Sequence, residues 1–257
     1  MGCVDYEARG RTRLIRMNRP EALNAMNRDL LVGLAEAFTA FSQDDDAFVA
    51  VLSGTGRAYS VGMDIKERAE SADGGIGLAD ISPLVDPFFP YRAPELDKPV
   101  IAAVNGMAFG GGFILAANAD LVVAGESATF EITEVKRGAV AGWQYGLAQG
   151  LPLHICLELA YGGRLTAQRA HDVGFVNEVV PDDEVEAAAL TRAEQLTSLP
   201  PLALRFNREL LMEFAQRPSP ELWARSHSLF RQAQESVDAR EAQRAFLEKR
   251  PPVYQGR

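Results

Sequence analysis

Three consecutive glycines, Gly110, Gly111 and Gly112, stand between an apolar strand-like run, Val100 to Asn105, and an apolar helix-like run that begins at Phe113. Three adjacent residues without Cβ let backbone approach another group to contact distance. Phe113, Ile114, Ala116 and Ala117 keep a helical apolar pattern behind them. The glycines therefore open that helix, and free backbone N–H groups point outward at its positively polarised end. Such an end suits two chemistries: holding a phosphate, or stabilising an oxyanion that develops during a reaction.

Other chemistry-bearing patterns fall short. Gly54-Thr-Gly56-Arg-Ala-Tyr59 lacks the third glycine that a dinucleotide fold places after a strand, and no Gly-x-x-x-x-Gly-Lys-Ser/Thr phosphate loop occurs. Ser127, in Gly125-Glu-Ser-Ala-Thr129, lacks the closing glycine of a nucleophile elbow and reads as a turn residue. His154, His171 and His227 are isolated on helical segments, so no metal site is expected and the three read as packing or surface residues.

The elements that must position the glycines alternate between strand and helix. Val4 to Glu7 and Thr12 to Met17 read as strands joined at Arg9-Gly10-Arg11. Asn27 caps an amphipathic helix whose stripe is Leu30, Leu31, Leu34, Ala37, Phe38 and Phe41. Ala47 to Leu52 is a buried strand, and Leu121 to Ala124 and Thr129 to Ile132 are short ones. Ala69 to Pro99 has no clean period and carries Gly74-Gly75, Pro83, Pro87, Pro90, Pro94 and Pro99, so it is either a surface connection or a cover over the site. From Pro152 the pattern is helical at Leu153 to Ala160, Ala167 to Val173 and Val185 to Leu196, with one strand at Phe175 to Val180. Leu202 to Phe214, Glu221 to Glu235 and Asp238 to Lys249 make a helical tail that must dock its apolar face on this chain or a neighbour.

At 257 residues and 47% apolar the chain supports one large domain with a smaller appendage. The net charge of −9 speaks against a nucleic-acid binder. Two cysteines and an opening Met-Gly-Cys-Val-Asp-Tyr without an apolar core lead us to expect a reducing, cytoplasmic setting. No apolar run reaches the roughly 18 residues of a membrane span.

Read together, Asn18-Arg-Pro-Glu-Ala-Leu-Asn-Ala-Met-Asn27, Ser53-Gly-Thr-Gly-Arg-Ala-Tyr-Ser-Val-Gly-Met-Asp-Ile-Lys-Glu67 and Ala103-Val-Asn-Gly-Met-Ala-Phe-Gly-Gly-Gly112 resemble the enoyl-CoA hydratase/isomerase (crotonase) family. Phe130-Glu-Ile-Thr-Glu134, Gly163 to Ala170, Gly174 to Val180 and Ala245 to Arg250 follow in the family's order and spacing. The resemblance implies an α/β fold: a spiral of ββα repeats over residues 1–195, with a helical region at 196–257 that assembles trimers or a dimer of trimers. It implies an acyl-CoA substrate, with coenzyme A part of that substrate and no separate cofactor. Its thioester carbonyl would be held by the backbone N–H groups of Met63 and Gly111, so the glycines fall to the oxyanion use. Ala22, Leu23, Ile65 and Lys66 match the CoA-contacting positions, and Lys249 the basic residue that reaches its phosphates. Methionine at 63 stands where smaller residues are common in the family, which reshapes the acyl site.

One departure bears on the reaction. Typical hydratases of the family carry two glutamates; here the second is Glu134, and the first is Ile114. Hydration needs a base for water and an acid at Cα. Shifting a double bond from the 3,4 to the 2,3 position needs a single carboxylate, and isomerases of the family similarly keep only the second glutamate. The resemblance thus favours isomerisation over hydration, with hydratase-aldolase, thioester hydrolase and a non-catalytic acyl-CoA binder as the alternatives. Trp143 and Tyr145 would wall the acyl pocket, and Glu131 would face either the site or solvent.

Overall fold

The computed structural model describes residues 2–70, 96–140, 150–199, 201–215, 231 and 235–250. Most of the irregular stretch from Ala69 to Pro99, both Trp143 and Tyr145, His227, and nearly all of the helix expected at Glu221 to Glu235 lie outside the described residues.

Two sheets organise the chain. The larger has six strands, β1 (Val4–Arg9), β2 (Thr12–Met17), β3 (Val49–Gly54), β5 (Val100–Val104), β7 (Leu121–Gly125) and β10 (Glu178–Val180), in that spatial order. Only β1 and β2 are antiparallel; from β2 onward every pair is parallel. The smaller sheet orders β4 (Ala58–Ser60), β6 (Met107–Phe109), β8 (Thr129–Glu131) and β9 (Arg164–Thr166). Consecutive strands thus alternate between sheets: β3 then β4, β5 then β6, β7 then β8. The first two of these pairs lead into helices α2 (Ile65–Glu70) and α3 (Gly111–Asn118). This is the expected spiral of ββα repeats.

The large sheet is buried on both faces, which explains its near-continuous apolar strands. Ile15, Ala50, Leu52, Ala102 and Val104 face the main core with helix α1 (Arg28–Gln43). Leu14, Val49, Val51, Ile101 and Ala103 face Val185, Ala189 and Ala193 of helix α6 (Val185–Thr197). Helix α1 starts where Asn27 accepts the Leu30 N–H at 3.0 Å, and its whole expected stripe is buried. Helices α4 (Leu153–Ala160) and α5 (Ala167–Asp172) follow their expected ranges closely.

Of the helical tail, α7 (Pro201–Ala215) is tied to the body by Arg208, which donates to Asp120 at 2.8 Å, and by Arg205, which donates to Asp97. Helix α8 (Val237–Leu247) packs against the 3-10 turn Glu134–Arg137, where the Arg137 guanidinium lies 5.4 Å from the centre of the Phe246 ring. The strand expected from Phe175 is shorter: Phe175 and Val176 are buried in the turn before β10, where their apolar character serves packing and not the ladder.

Candidate active site

The sequence places Gly110 just ahead of α3, and its backbone shows why a glycine is required. Its φ of 53° lies in the left-handed region, and a Cβ there would fall 3.0 Å from Glu134 Oε1 and 3.1 Å from Thr133 Oγ1. The Glu134 carboxylate therefore rests against the backbone that carries the next residue, Gly111. Gly110 donates its N–H to the Glu131 carbonyl at 2.9 Å, which fixes the approach of the glycine turn to β8. Gly112 packs on β4 so closely that a Cβ would fall within contact distance of the Ser60 carbonyl.

The second segment converges from the loop after β4. Gly62 has φ 85°, and a Cβ there would lie 2.8 Å from the Phe109 carbonyl oxygen and 3.0 Å from the Gly111 nitrogen. Met63 follows directly, half-buried, bridged in parallel to Met26. On either side of it, Met26 N–H donates to the Gly62 carbonyl (2.8 Å) and Asp64 N–H to the Met26 carbonyl (3.0 Å). Among the described residues, neither the Met63 N–H nor the Gly111 N–H has a protein acceptor. Two free donors from adjoining backbones are the arrangement that a developing oxyanion requires.

This geometry rests on buried polar contacts that sequence reasoning missed. The Asn24 amide donates to the Thr55 and Ala58 carbonyls at 3.0 and 2.8 Å, and its oxygen accepts the Arg19 N–H at 2.8 Å. Ser60 Oγ donates to the Asn24 carbonyl and accepts the Gly62 N–H. Arg19 donates to Asp64 at 2.5 Å. Asp64 in turn accepts the Lys66 and Glu67 N–H groups at the start of α2. Burial alone would raise the Asp64 carboxyl, but the Arg19 guanidinium and those amides hold it below its usual value. Asn18-Arg-Pro and the Asp-Ile-Lys run are thereby joined through one ion pair, a link that residue types on separate segments do not reveal.

The two neighbouring glutamates have different surroundings. Glu131 is buried and ion-paired to Arg164 at 2.7 Å and to Lys136. Burial would raise it, yet these two cations hold it below the usual carboxylate range. Glu134 has its Oε2 enclosed, with no hydrogen-bond partner among the described residues. Burial pushes its carboxyl up to about 7, against the lowering effect of nearby amides and of Arg137. A carboxyl with its pKa raised toward neutrality, resting against the backbone that leads into Gly111, can take and return a proton at a carbon beside a polarised carbonyl.

Ile114 lies in the first turn of α3, 8% exposed and packed in the main core. Ala22 and Leu23 sit at the 3-10 turn Pro20–Ala22, half-buried, with the Leu23 carbonyl accepting the Val61 N–H at 3.2 Å. They thus border the Met63 loop, as do half-buried Ile65 and exposed Lys66. Lys249 is exposed just beyond α8, and among the described residues no hydrogen bond or ion pair joins it to Lys66 or Ala22. His154 and His171 are exposed. Among the described residues no cluster of three or more metal-ligating side chains occurs, and no helix is long and apolar enough to cross a membrane.

Comparison with known proteins bears on this arrangement. A family model described as enoyl-CoA hydratase/isomerase matches residues 8–257. The chain is 38% identical over 253 residues to the carnitinyl-CoA dehydratase of Salmonella typhi, covering 95% of this chain and 94% of that protein. A solved carnitinyl-CoA hydratase from Mycobacterium avium is similar over 100% of both chains, at 34% identity and a TM-score of 0.84. A solved methylmalonyl CoA decarboxylase is similar over 99% of this chain and 98% of its own, at 27% identity and a TM-score of 0.81. A match of this extent, on a fold of the same architecture, makes this chain a member of the enoyl-CoA hydratase/isomerase family with the crotonase fold.

Proposed function

We propose that this acyl-CoA enzyme works through a single base, Glu134, and moves the double bond of a 3-enoyl-CoA to the 2,3 position. The observation that carries the reading is the contact of the Glu134 carboxylate with the Gly110 backbone, beside the unoccupied Gly111 and Met63 N–H donors. The thioester oxygen takes both N–H groups. Glu134 removes a Cα proton, negative charge passes to that oxygen as a dienolate, and the same carboxyl returns the proton at C4. No second acid is consumed, which suits the apolar Ile114.

The named relatives favour a second reading, elimination of water from a 3-hydroxyacyl-CoA. Glu134 would then take the Cα proton and deliver it to the departing hydroxyl. Chromatographically separated products from 3-enoyl, 2-enoyl and 3-hydroxyacyl thioesters decide between the two. Rapid 2-enoyl formation from the 3-enoyl substrate supports isomerisation. Hydration or dehydration at comparable rates, with the 3-enoyl substrate untouched, abandons it.

The pH profile tests the base itself. A base must be ionised to act, so kcat/KM should rise with pH and reach half its plateau near the Glu134 value of about 7. A profile flat between about pH 5 and 8 would place the base elsewhere.

We also propose that the tail assembles a trimer. Phe206 and Leu211 of α7 are 58% and 68% exposed, more than a lone domain comfortably shows water. Light scattering should give the mass of three chains or of six; a monomer would contradict the assembly.

A further inference from the structure

The Glu134 turn carries a cation that the proposed chemistry does not use. A 3-10 turn repeats every three residues, so Glu134 and Arg137 project from the same side of it. Val135 and Lys136 face elsewhere: a Cβ on Gly162 would meet Lys136 Cε at 3.2 Å and Val135 Cγ1 at 3.5 Å.

Among the described residues, other enclosed guanidinium groups hold a carboxylate: Arg13 with Asp44, Arg16 with Glu186, Arg19 with Asp64 and Arg208 with Asp120. Arg137 is half-buried and, among the described residues, has no carboxylate within ion-pair distance. Of the two acids that face it, Glu134 is the proposed base, which carries no charge until it gives up its proton, and Glu131 is already held by Lys136 and Arg164. Among the described residues its one hydrogen bond is a long one, 3.5 Å to the Thr133 carbonyl, and its guanidinium carbon lies 5.4 Å from the centre of the Phe246 ring. Burial draws its pKa below the usual guanidinium value. A guanidinium has five N–H donors, and taking it from water without an anion is costly.

We propose that Arg137 receives a carboxylate borne by the acyl part of the thioester, so that this enzyme prefers acyl-CoA substrates with an anionic distal end. The inference rests on the reading of Glu134 as the base. That group must reach the carbons next to the thioester carbonyl, so a cation on its side of the turn stands at the acyl end. Ala22, Leu23, Ile65 and Lys66 stand instead on the Met63 side. The Phe246 ring of α8 then forms the back of the anion site, and the guanidinium fork can make a two-pronged contact with the carboxylate.

Calorimetric titration with adipoyl-CoA and hexanoyl-CoA tests this, because the two share a six-carbon chain, differ by one carboxylate, and contain no double bond to react. The wild-type protein should bind adipoyl-CoA about tenfold or more tightly. Arg137→Leu should abolish the preference, and Arg137→Lys should keep part of it. Equal affinities in the wild type overturn the proposal, even if the leucine variant does not fold. An equal loss for both thioesters in Arg137→Leu would assign the residue to the CoA phosphates and also overturn it. Turnover of hex-3-enoyl-CoA and hex-3-enedioyl-CoA, run in parallel, reports separately on the isomerase reading, since the saturated thioesters bind whichever reaction the enzyme performs.

Discussion

Glu134→Gln is expected to lower turnover by about 10²–10⁴-fold while leaving the affinity for a saturated CoA thioester within about twofold. Glutamine keeps the volume and the hydrogen-bonding shape of the side chain but cannot accept a proton from carbon. The substitution alters no group on the Met63 side, where Ala22, Leu23 and Lys66 lie. Single-turnover kinetics beside a calorimetric titration separate the two effects, and unchanged turnover would falsify the assignment of the base. The same variant should also show the strain of the wild-type carboxyl. Because folding raises that carboxyl from 4.5 to about 7, its contribution to stability is present below the lower value and is lost as the pH rises through the upper one. The glutamine protein should therefore melt higher than wild type at about pH 8, and the gain should vanish near pH 4. A gain independent of pH would mean that charge burial is not its source.

Gly62→Ala is expected to cost at least about 100-fold in turnover with Glu134 untouched. The new methyl would fall 2.8 Å from the Phe109 carbonyl and 3.0 Å from the Gly111 nitrogen, both backbone atoms, at a φ of 85° that L side chains seldom adopt. Neither neighbour can rotate aside. The loop must move away from α3, and the two N–H donors cease to converge on one oxygen. Left-handed backbone adds roughly 1–3 kcal/mol of destabilisation. Thermal melting and kcat measured together read both effects. Wild-type kcat in a folded Gly62→Ala protein would show that the Met63 and Gly111 donors do not act as a pair.

What the residues revealed before any coordinates followed the strength of each local signal. Helix α1 was legible because Asn27 and six well-spaced apolar residues agree. The parallel strands of the large sheet were legible as unbroken apolar runs, since burial on both faces removes alternation. The small sheet was not: β4, β6, β8 and β9 have three residues each, too few for any period to register, and only β8 was anticipated. At the site, Gly110 to Gly112 stood out through type and spacing, whereas Glu134 stood out only through the register of the family's motifs. The division of labour between Glu131 and Glu134 did not, because it depends on Arg164, 33 positions away, reaching one of them. Arg137 read in sequence only as a charged neighbour of Glu134; that it makes no ion pair among the described residues is visible only in its surroundings.

Both sheets are finished late. Strand β9 pairs with β8 and β10 with β7, so the last strand of each sheet comes from the short stretch between Arg164 and Val180. Until that stretch leaves the ribosome, Val122, Val123 and Ala124 form an apolar edge with unpaired amides, the kind that joins other nascent chains. A message cut short anywhere between Glu131 and Arg164 therefore yields a sticky product and not a smaller working enzyme. Translation of those few dozen codons is the interval in which a chaperone has most to protect.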